Sequence, residues 1–383
     1  MVIAIDGYEA NVPKRVGIGR YAYEILKHMF QNFKIQNSKF KIQNEIQFRI
    51  YLPNPPLNDM PQETEWWQYR VVRLRSFWTF TGLPLALWLD RPRADVIFSP
   101  THYVPRFITI PRVMSVMDLS YLEYPQMFRA KDLHQLVYWT AYSVRHAAKI
   151  LTISEFSTGA IMKAYGVPKD RIAVTYPGIS MNSKLKTQNS KLFDKYGILK
   201  QYILSVGTLQ PRKNYSRLIE AFSRLVKQEK GFDDVELVIV GKKGWLYEEI
   251  LKAPRQFGVA DRVKFLEFVP DADLPDLYRH ALCFALPSLY EGFGLPVLEA
   301  MANGCPVVVS SASSLPEIAG DAGIYVDPND VASIIQGLLK GLRETKEERK
   351  HRTEEGLRQA EKFSWQKAAR ETLAILQDVA KQK

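Results

Sequence analysis

PSLYEGFGLPVLEAMANGCPVVVS, residues 287–310, predicts a strand end, a glycine-containing loop, a helix and a new strand in direct succession. The apolar residues after the loop recur at helical spacing: Val297, Leu298 and Met301. Gly304 stands where such a helix ends, and a run of apolar residues follows it. This order places Glu291 on the loop and Glu299 about one turn into the helix.

The loop has the composition of a ligand-binding turn. Gly292 and Gly294 allow backbone N–H groups to approach a ligand closely, and the helix that begins beyond them adds partial positive charge suited to phosphate. Glu299 has two carboxylate oxygens that could accept hydrogen bonds from both hydroxyls of a ribose. The alternative is an ordinary strand-to-helix turn whose acids are solvated.

The two acids with seven residues between them, in this apolar frame, resemble the donor-binding signature of the retaining, nucleotide-sugar-dependent glycosyltransferases of family 4, the group 1 enzymes. The resemblance is strongest over residues 205–327. It implies that Glu291 contacts the transferred sugar and that Glu299 binds the ribose. It also implies which residues present backbone amides to sugar and phosphate: Gly292, Phe293, Gly294 and Leu295.

The fold implied by this resemblance is α/β, the GT-B arrangement of two Rossmann-like, doubly wound domains that face a central cleft. Strands and helices alternate along the chain, and 383 residues suffice for two domains. We expect an acceptor-binding domain over residues 1–180 and a nucleotide-sugar-binding domain over residues 181–363. The resemblance further implies that a terminal helix, residues 364–383, returns to the first domain.

The second domain starts with a predicted strand, residues 202–206, followed by a turn that contains Gly207, Arg212 and Lys213. Arginine offers a planar pair of donors and lysine a point charge, and together they can neutralise a diphosphate. The resemblance assigns Arg212 and Lys213 this role. The alternative is a solvated start of the next helix.

In the first domain, residues 2–6 predict a buried strand, and Gly17, Gly19 and Arg20 open the helix that follows. The third glycine of a dinucleotide-binding fingerprint is missing. The resemblance implies that Gly17 and Gly19 border the donor phosphates. A tight turn without a ligand is the alternative.

A second predicted strand end carries Met117 and Asp118. Many relatives place a histidine before this aspartate, close to the donor sugar, and Met117 departs from that pattern. A thioether cannot make the hydrogen bonds of an imidazole. His102 is a possible substitute contact, although a lone histidine is more often structural.

The charge of +11 lies mostly in the first half: residues 1–180 contain 22 Lys and Arg against 14 Asp and Glu, and residues 181–383 contain 30 against 27. Residues 66–93 combine four tryptophans with five arginines, which is typical of an interfacial membrane patch or of a strand followed by a core helix. We therefore expect possible peripheral contact with an anionic membrane. A generally basic protein is the alternative, and nucleic-acid binding has charge in its favour but no motif.

No signal peptide or membrane-spanning segment is expected, because the apolar runs are short. Two cysteines without a ligand cluster, Cys283 and Cys305, indicate a reducing compartment, so a cytoplasmic location is expected. A peripheral position on the inner face of the plasma membrane is the alternative within that compartment. Residues 37–44 and 182–189 match at six of eight positions and are interpreted as surface insertions.

The sequence predicts no cofactor and no metal. Asp271 and Asp273 form a DxD pattern, but the helical pattern that follows favours a capping role over metal binding. The predicted function is hexose transfer from a nucleotide-diphosphate sugar to a glycan or lipid-linked acceptor. Resemblance to bacterial mannosyltransferases of polysaccharide assembly makes GDP-mannose the first donor to consider. The alternatives are a sugar-nucleotide epimerase, a phosphorylase or a catalytically weakened nucleotide-sugar-binding protein.

Overall fold

Two compact α/β units make up the chain. The computed structural model describes residues 1–40, 46–74, 76–179, 190–198 and 200–382. Unit 1 comprises Met1–Glu123, Ala130–Gly178 and Ser364–Lys383, and unit 2 comprises Tyr124–Arg129 and Ile179–Phe363.

The segment Tyr124–Arg129 belongs to unit 2, although residues 1–180 were expected to form one domain. Aromatic packing explains the difference. The ring of Tyr124 lies 6.2 Å from that of Tyr290, and the ring of Phe128 lies 5.7 Å from that of Trp245. Both partners belong to unit 2, so the segment is fixed there by its side chains.

Unit 1 contains a seven-stranded, wholly parallel sheet in the order β3-β2-β1-β4-β5-β6-β7. Its strands are short and most of their residues are buried, as expected where helices cover both faces of a sheet. They are β1 Val2–Asp6, β2 Gln47–Leu52, β3 Trp67–Val71, β4 Val96–Ser99, β5 Arg112–Val116, β6 Lys149–Thr152 and β7 Ile172–Val174.

The first five helices are α1 Ile18–Phe40, α2 Gly82–Leu89, α3 Ser120–Glu123, α4 Ala130–His146 and α5 Glu155–Tyr165. Ser154, which precedes a helical pattern in the sequence, caps α5, because its side chain accepts a hydrogen bond from the backbone N–H of Ser157. Residues 37–40, the start of the first repeated segment, form the end of α1, and the interpretation of the segment as an insertion stays a prediction. The rest of that segment and the whole of residues 182–189 lie outside the described residues.

Unit 2 contains a six-stranded parallel sheet in the order β10-β9-β8-β11-β12-β13. The strands are β8 Gln201–Val206, β9 Val235–Val240, β10 Val263–Leu266, β11 Cys283–Leu286, β12 Val307–Ser310 and β13 Gly323–Val326. The helices are α6 Ser190–Tyr196, α7 Tyr215–Gln228, α8 Glu248–Gln256, α9 Leu274–His280, α10 Leu295–Ala302, α11 Leu315–Ala319, α12 Val331–Leu342 and α13 Lys346–Ala360.

The last helix, α14 Trp365–Lys381, lies in unit 1 and packs against α1. The ring of Trp365 lies 6.1 Å from that of Tyr21, and Asn32 Nδ2 donates to the carbonyl of Gln366 at 2.9 Å. Ser364 caps the helix by accepting from the backbone N–H of Lys367. The first and last helices of the chain thus share one core.

Strand order reverses once in each sheet, between β1 and β4 in unit 1 and between β8 and β11 in unit 2. In open parallel sheets, ligands bind outside the carboxyl ends of the strands at such a reversal. In unit 2, the loops after β8 and β11 therefore mark the place to look for a ligand site. The corresponding loops in unit 1 follow β1 and β4.

Three of the four tryptophans in residues 66–93 pack into unit 1. Trp67 is fully buried, Trp66 stacks on Phe30 with ring centroids 5.0 Å apart, and Trp78 Nε1 donates to Asp6 at 2.9 Å. Trp88 is 60% exposed. A strand followed by a core helix, the alternative to a membrane patch, therefore describes most of that stretch. None of the described helices combines the length and apolarity needed to cross a membrane.

Candidate functional site

The turn after β8 buries two cations. Arg212 and Lys213 lie on a short 3₁₀ turn, Pro211–Lys213, and their side chains are only 16% and 8% exposed. Gly207 makes room for Lys213 and Tyr215, since a Cβ at that position would lie 3.3 Å from Lys213 Cε and 3.1 Å from the Tyr215 hydroxyl. Its φ of 154° is also one that side-chain-bearing residues rarely adopt.

Glu291, on the loop after β11, forms ion pairs with both Arg212 and Lys213. Lys213 Nζ donates to Glu291 Oε1 at 2.6 Å, and Arg212 donates to Glu291 Oε2 at 2.9 Å and to the carbonyl of Tyr290 at 2.6 Å. Ser288 Oγ donates to Oε1 at 2.7 Å. The predicted phosphate-binding pair and the predicted sugar-binding acid therefore form one buried cluster.

The charge state of Glu291 follows from these contacts. Burial alone would raise the pKa of its carboxyl, but the charges of Lys213 and Arg212 outweigh that effect and lower the pKa to about 2. Glu291 is therefore ionised at neutral pH and cannot supply a proton there. Two cations against one anion leave the cluster with an excess positive charge.

Hydrogen bonds to backbone carbonyls hold the loops after β8, β11 and β12 together. The N–H of Leu289 donates to the carbonyl of Arg212 at 2.8 Å, and Asn214 Nδ2 donates to the carbonyl of Pro287 at 2.9 Å. Ser314 Oγ donates to the carbonyls of Glu291 and Phe293 at 2.9 and 2.8 Å. No role for Ser288, Asn214 or Ser314 was predicted from the sequence. The partners of Asn214 and Ser314 lie far away along the chain, whereas Ser288 and Glu291 are only three residues apart.

Gly294 occupies the N-cap of α10 with φ 115°, and a Cβ there would lie 2.7 Å from Leu315 Cδ2. No side chain caps the helix at this position, so its first turn begins at Leu295 with the amide dipoles directed at the loop. Phe293 points elsewhere, since it is 3% exposed and its ring lies 5.6 Å from that of Phe363. The buried Phe293 ring is therefore not offered to a ligand, and ligand contacts with the backbone of Gly292, Phe293, Gly294 and Leu295 stay a prediction.

Glu299 lies on α10, as predicted, and is half-buried. The hydroxyl of Tyr278, on α9, donates to Glu299 Oε2 at 3.0 Å. This hydrogen bond fixes the orientation of the carboxylate. Tyr278 was not among the predicted site residues, although a buried tyrosine whose hydroxyl needs a partner is the kind of residue that performs this task.

In unit 1, Gly17 and Gly19 lie where α1 begins, after β1. The carbonyl of Gly17 accepts from the N–H of Tyr21 at 3.0 Å and so opens the helix. A Cβ at Gly19 would lie 3.0 Å from the carbonyl oxygen of Glu9. The structure thus places both glycines at the carboxyl end of a strand next to the reversal, and their contact with donor phosphates stays a prediction.

Met117 and His102 are adjacent in unit 1. The backbone N–H of Met117 donates to His102 Nε2 at 3.0 Å, so the proton of the neutral ring lies on Nδ1. Burial lowers the pKa of His102, which favours that neutral form. Nδ1 is buried and has no hydrogen-bond partner among the described residues. The observed task of His102 is to hold the Met117 backbone, and a sugar contact through Nδ1 stays a prediction.

Asp118 is engaged locally, because its Oδ1 accepts from the backbone N–H and the hydroxyl of Ser120 at 2.9 and 2.6 Å. It thereby orders the first turn of α3. Met117 itself is 8% exposed.

The second acid of the DxD pattern accepts hydrogen bonds from side chains at the end of α6. Asp273 occupies the N-cap position of α9, but its carboxylate accepts from Lys195 and Tyr196, both at 2.7 Å, and not from the helix backbone. The predicted capping hydrogen bond is therefore wrong for Asp273, because two side-chain donors outcompete the amides. Across the part of the chain that the structure describes, no group of three or more His, Cys, Asp and Glu side chains could hold a metal ion.

Known proteins are similar to this chain in sequence. A family model described as "Glycosyl transferases group 1" matches residues 189–359. The chain is 35% identical over 381 residues to the O-antigen chain mannosyltransferase B of Escherichia coli, with 93% of this chain and 94% of that relative aligned.

Solved structures share the fold. Sucrose-phosphate synthase from Thermosynechococcus elongatus superposes with a TM-score of 0.76 at 15% identity, over 100% of both chains. The Anabaena protein Alr3699/HepE, in complex with UDP and glucose, superposes with a TM-score of 0.71 at 19% identity, over 98% of this chain and 99% of that one. The predicted architecture of two Rossmann-like α/β domains is confirmed.

Proposed function

The chain belongs to the group 1 glycosyltransferases, and on this premise we propose that it transfers mannose from GDP-mannose to a glycan or lipid-linked acceptor, with retention of anomeric configuration. The buried Arg212, Lys213 and Glu291 cluster carries the proposal, because its excess positive charge suits a diphosphate. The mannose assignment is supported by the named activity of the Escherichia coli relative. The free cysteines, Cys283 and Cys305, favour the cytoplasm.

The proposed chemistry breaks the bond between the anomeric carbon and the diphosphate oxygen. A hydroxyl of the acceptor forms the new bond on the same face, and its proton passes to the departing phosphate oxygen. Arg212, Lys213 and the first turn of α10 stabilise the negative charge that develops on the diphosphate. Because these groups supply the positive charge, we propose that transfer needs no metal ion.

Glu291 has a positioning task in this scheme. It is ionised at neutral pH, so it holds the two cations in place and can accept a hydrogen bond from a sugar hydroxyl. Glu299, oriented by Tyr278, would accept from the ribose hydroxyls.

The donor is tested by supplying GDP-mannose, UDP-glucose and UDP-N-acetylglucosamine in parallel and measuring product mass. NMR of the product then gives the anomeric configuration, and parallel reactions with EDTA test the metal. We expect transfer of mannose, insensitive to EDTA. Use of UDP-glucose with no turnover of GDP-mannose would refute the mannose assignment and leave the family unaffected.

Substituting Glu299 with glutamine tests the ribose contact. The amide keeps the size but loses the charge, so nucleotide binding should weaken by about 1–3 kcal/mol. Calorimetry of wild type and variant with GDP measures this. The matched ligand is a 2′,3′-dideoxy nucleotide, and equal affinity of the wild type for both nucleotides would rule out the assignment.

Met117→His tests the departure from the family pattern, and it bears on the alternative of a catalytically weakened binding protein. A new hydrogen bond to the sugar should raise kcat/KM by up to about tenfold. If the pocket is instead packed around the buried thioether, an imidazole would be stranded there and the rate would fall. Met117→Leu, which adds no polar group, is the control, and an unchanged or lower kcat/KM for Met117→His would contradict the prediction.

A further inference from the structure

Helix α2 in unit 1 is apolar on every side but buried on only one. Its sequence, GLPLALWL, contains no charged residue. Leu83 and Leu87 are 0% and 1% exposed, whereas Leu85, Trp88 and Leu89 are 49%, 60% and 59% exposed. A helix that is apolar on all sides is normally buried on all sides. The exposed side of α2 is therefore unusual for a helix of this composition.

Two loops extend the exposed apolar area. Phe107, 82% exposed, lines a groove of about 160 Å³ with Trp88 and Arg93. Phe77, 73% exposed, lies just before α2, and the loops adjoin because the N–H of Arg106 donates to the carbonyl of Thr79 at 2.9 Å. We call Phe77, Leu85, Trp88, Leu89 and Phe107 the α2 surface.

The backbone at both phenylalanines is unfavourable. Phe77 has φ 53° and Phe107 has φ 57°, in the left-handed region that bulky residues rarely occupy. Two aromatic rings are thus held in solvent at a conformational cost, and neither ring is needed for the core beneath. Strained, exposed residues of this kind are typical of functional surfaces.

Basic residues surround the α2 surface. Arg73, Arg91 and Arg93 are exposed, and Arg91 donates to the backbone carbonyl of Trp88 at 2.5 Å, which keeps its charge at the end of α2. The two acidic residues near these arginines, Asp90 and Asp95, form hydrogen bonds or ion pairs with other residues. Asp90 accepts from Tyr51 at 2.8 Å and pairs with Arg49 at 3.3 Å, and Asp95 accepts from the N–H of Val2 at 2.8 Å.

We propose that the α2 surface binds an anionic phospholipid bilayer. The aromatic and leucine side chains enter the interfacial layer, where tryptophan and phenylalanine are favoured, while the surrounding arginines meet the lipid phosphates. An apolar protein partner would not need the cationic rim, and a nucleic acid would not need the leucines. The surface therefore fits a partner that is apolar inside and negatively charged at its boundary.

The test is co-sedimentation of the full chain with vesicles of phosphatidylcholine, with and without phosphatidylglycerol. Wild type should bind only the anionic vesicles, and less at high salt. Trp88→Gln with Phe107→Asn should weaken binding about tenfold or more; asparagine suits the left-handed backbone, so folding is preserved. Arg91→Gln with Arg93→Gln should cost roughly fivefold for each arginine and reduce the salt dependence.

Matched controls lie in unit 2. Phe268→Asn removes another exposed phenylalanine, 77% exposed, and Lys230→Gln with Lys350→Gln removes two exposed charges. Both should bind vesicles like wild type. The proposal is overturned if wild type ignores anionic vesicles or if the controls lose as much binding as the α2-surface variants. It is also overturned if sedimentation shows wild-type dimers that Trp88→Gln with Phe107→Asn dissociates, because a second copy would then cover this surface.

Discussion

Replacing Lys213 with alanine is expected to lower kcat by about 100- to 1,000-fold, the usual cost of removing one buried donor that stabilises charge developing in a transition state. Lys213 Nζ is held beside Glu291 at the carboxyl end of β8, where the diphosphate is proposed to leave. The loss should be accompanied by weaker binding of the nucleoside diphosphate and unchanged binding of the nucleoside. Steady-state kinetics and calorimetry with GDP and guanosine measure both effects.

Lys252→Ala is the matched control, because Lys252 carries the same charge in unit 2 but is 68% exposed on α8 and paired with Glu249. It should leave kcat and GDP affinity unchanged. If Lys213→Ala weakened guanosine and GDP binding equally, the lysine would not act on the phosphates. Arg212→Ala should follow the pattern of Lys213→Ala, since both cations reach the same carboxylate.

Replacing Glu291 with glutamine is expected to destabilise unit 2 by about 3–5 kcal/mol at neutral pH, because two buried cations lose their counter-charge. The effect should depend on pH with a definite sign. A carboxyl whose pKa falls from 4.5 to about 2 on folding contributes stability that is complete above pH 4.5 and is lost as the pH falls through about 2. Urea unfolding at a series of pH values should show the difference between wild type and variant shrinking over that window.

A double-mutant cycle separates this effect from a general loss of packing. Lys213→Met combined with Glu291→Gln removes the buried charge together with its partner, so it should cost less than the sum of the two single changes. Glu267→Gln, at a carboxylate 63% exposed and paired with Lys243, should change stability little. Strict additivity in the cycle would mean that Lys213 and Glu291 are not coupled.

Features that depend on a short stretch of residues were predictable from the sequence. Strand β1 and the capping of α5 by Ser154 follow from apolar runs and from a serine placed before a helical pattern. The positions of Glu291 on a loop and Glu299 on a helix follow from the glycines and the proline between them. The family, which rests on the same stretch, is confirmed by a relative aligned along nearly the whole chain.

Contacts between distant parts of the chain were not predictable. The spacing of Glu291 from Arg212 says nothing about the buried ion pair between them, and Tyr278 acquires its partner only when α9 and α10 pack. For the same reason the tryptophan-rich stretch was ambiguous. Periodicity cannot distinguish Trp67, which lies in the core, from Trp88, which lies in solvent.

The return of α14 to unit 1 has a consequence for synthesis on the ribosome. Gly178 and Ser364 belong to the same unit, but residues 179–363 must be translated between them. At about 5–20 residues per second this takes about 10–40 s, while unit 2 already has all of its sequence before Ser364 emerges. During that interval α1 lacks the helix that covers it, including Trp365 against Tyr21. Unit 1 therefore cannot complete its packing until α14 has been synthesised, and we expect a nascent chain stalled before residue 364 to expose the face of α1 that α14 covers.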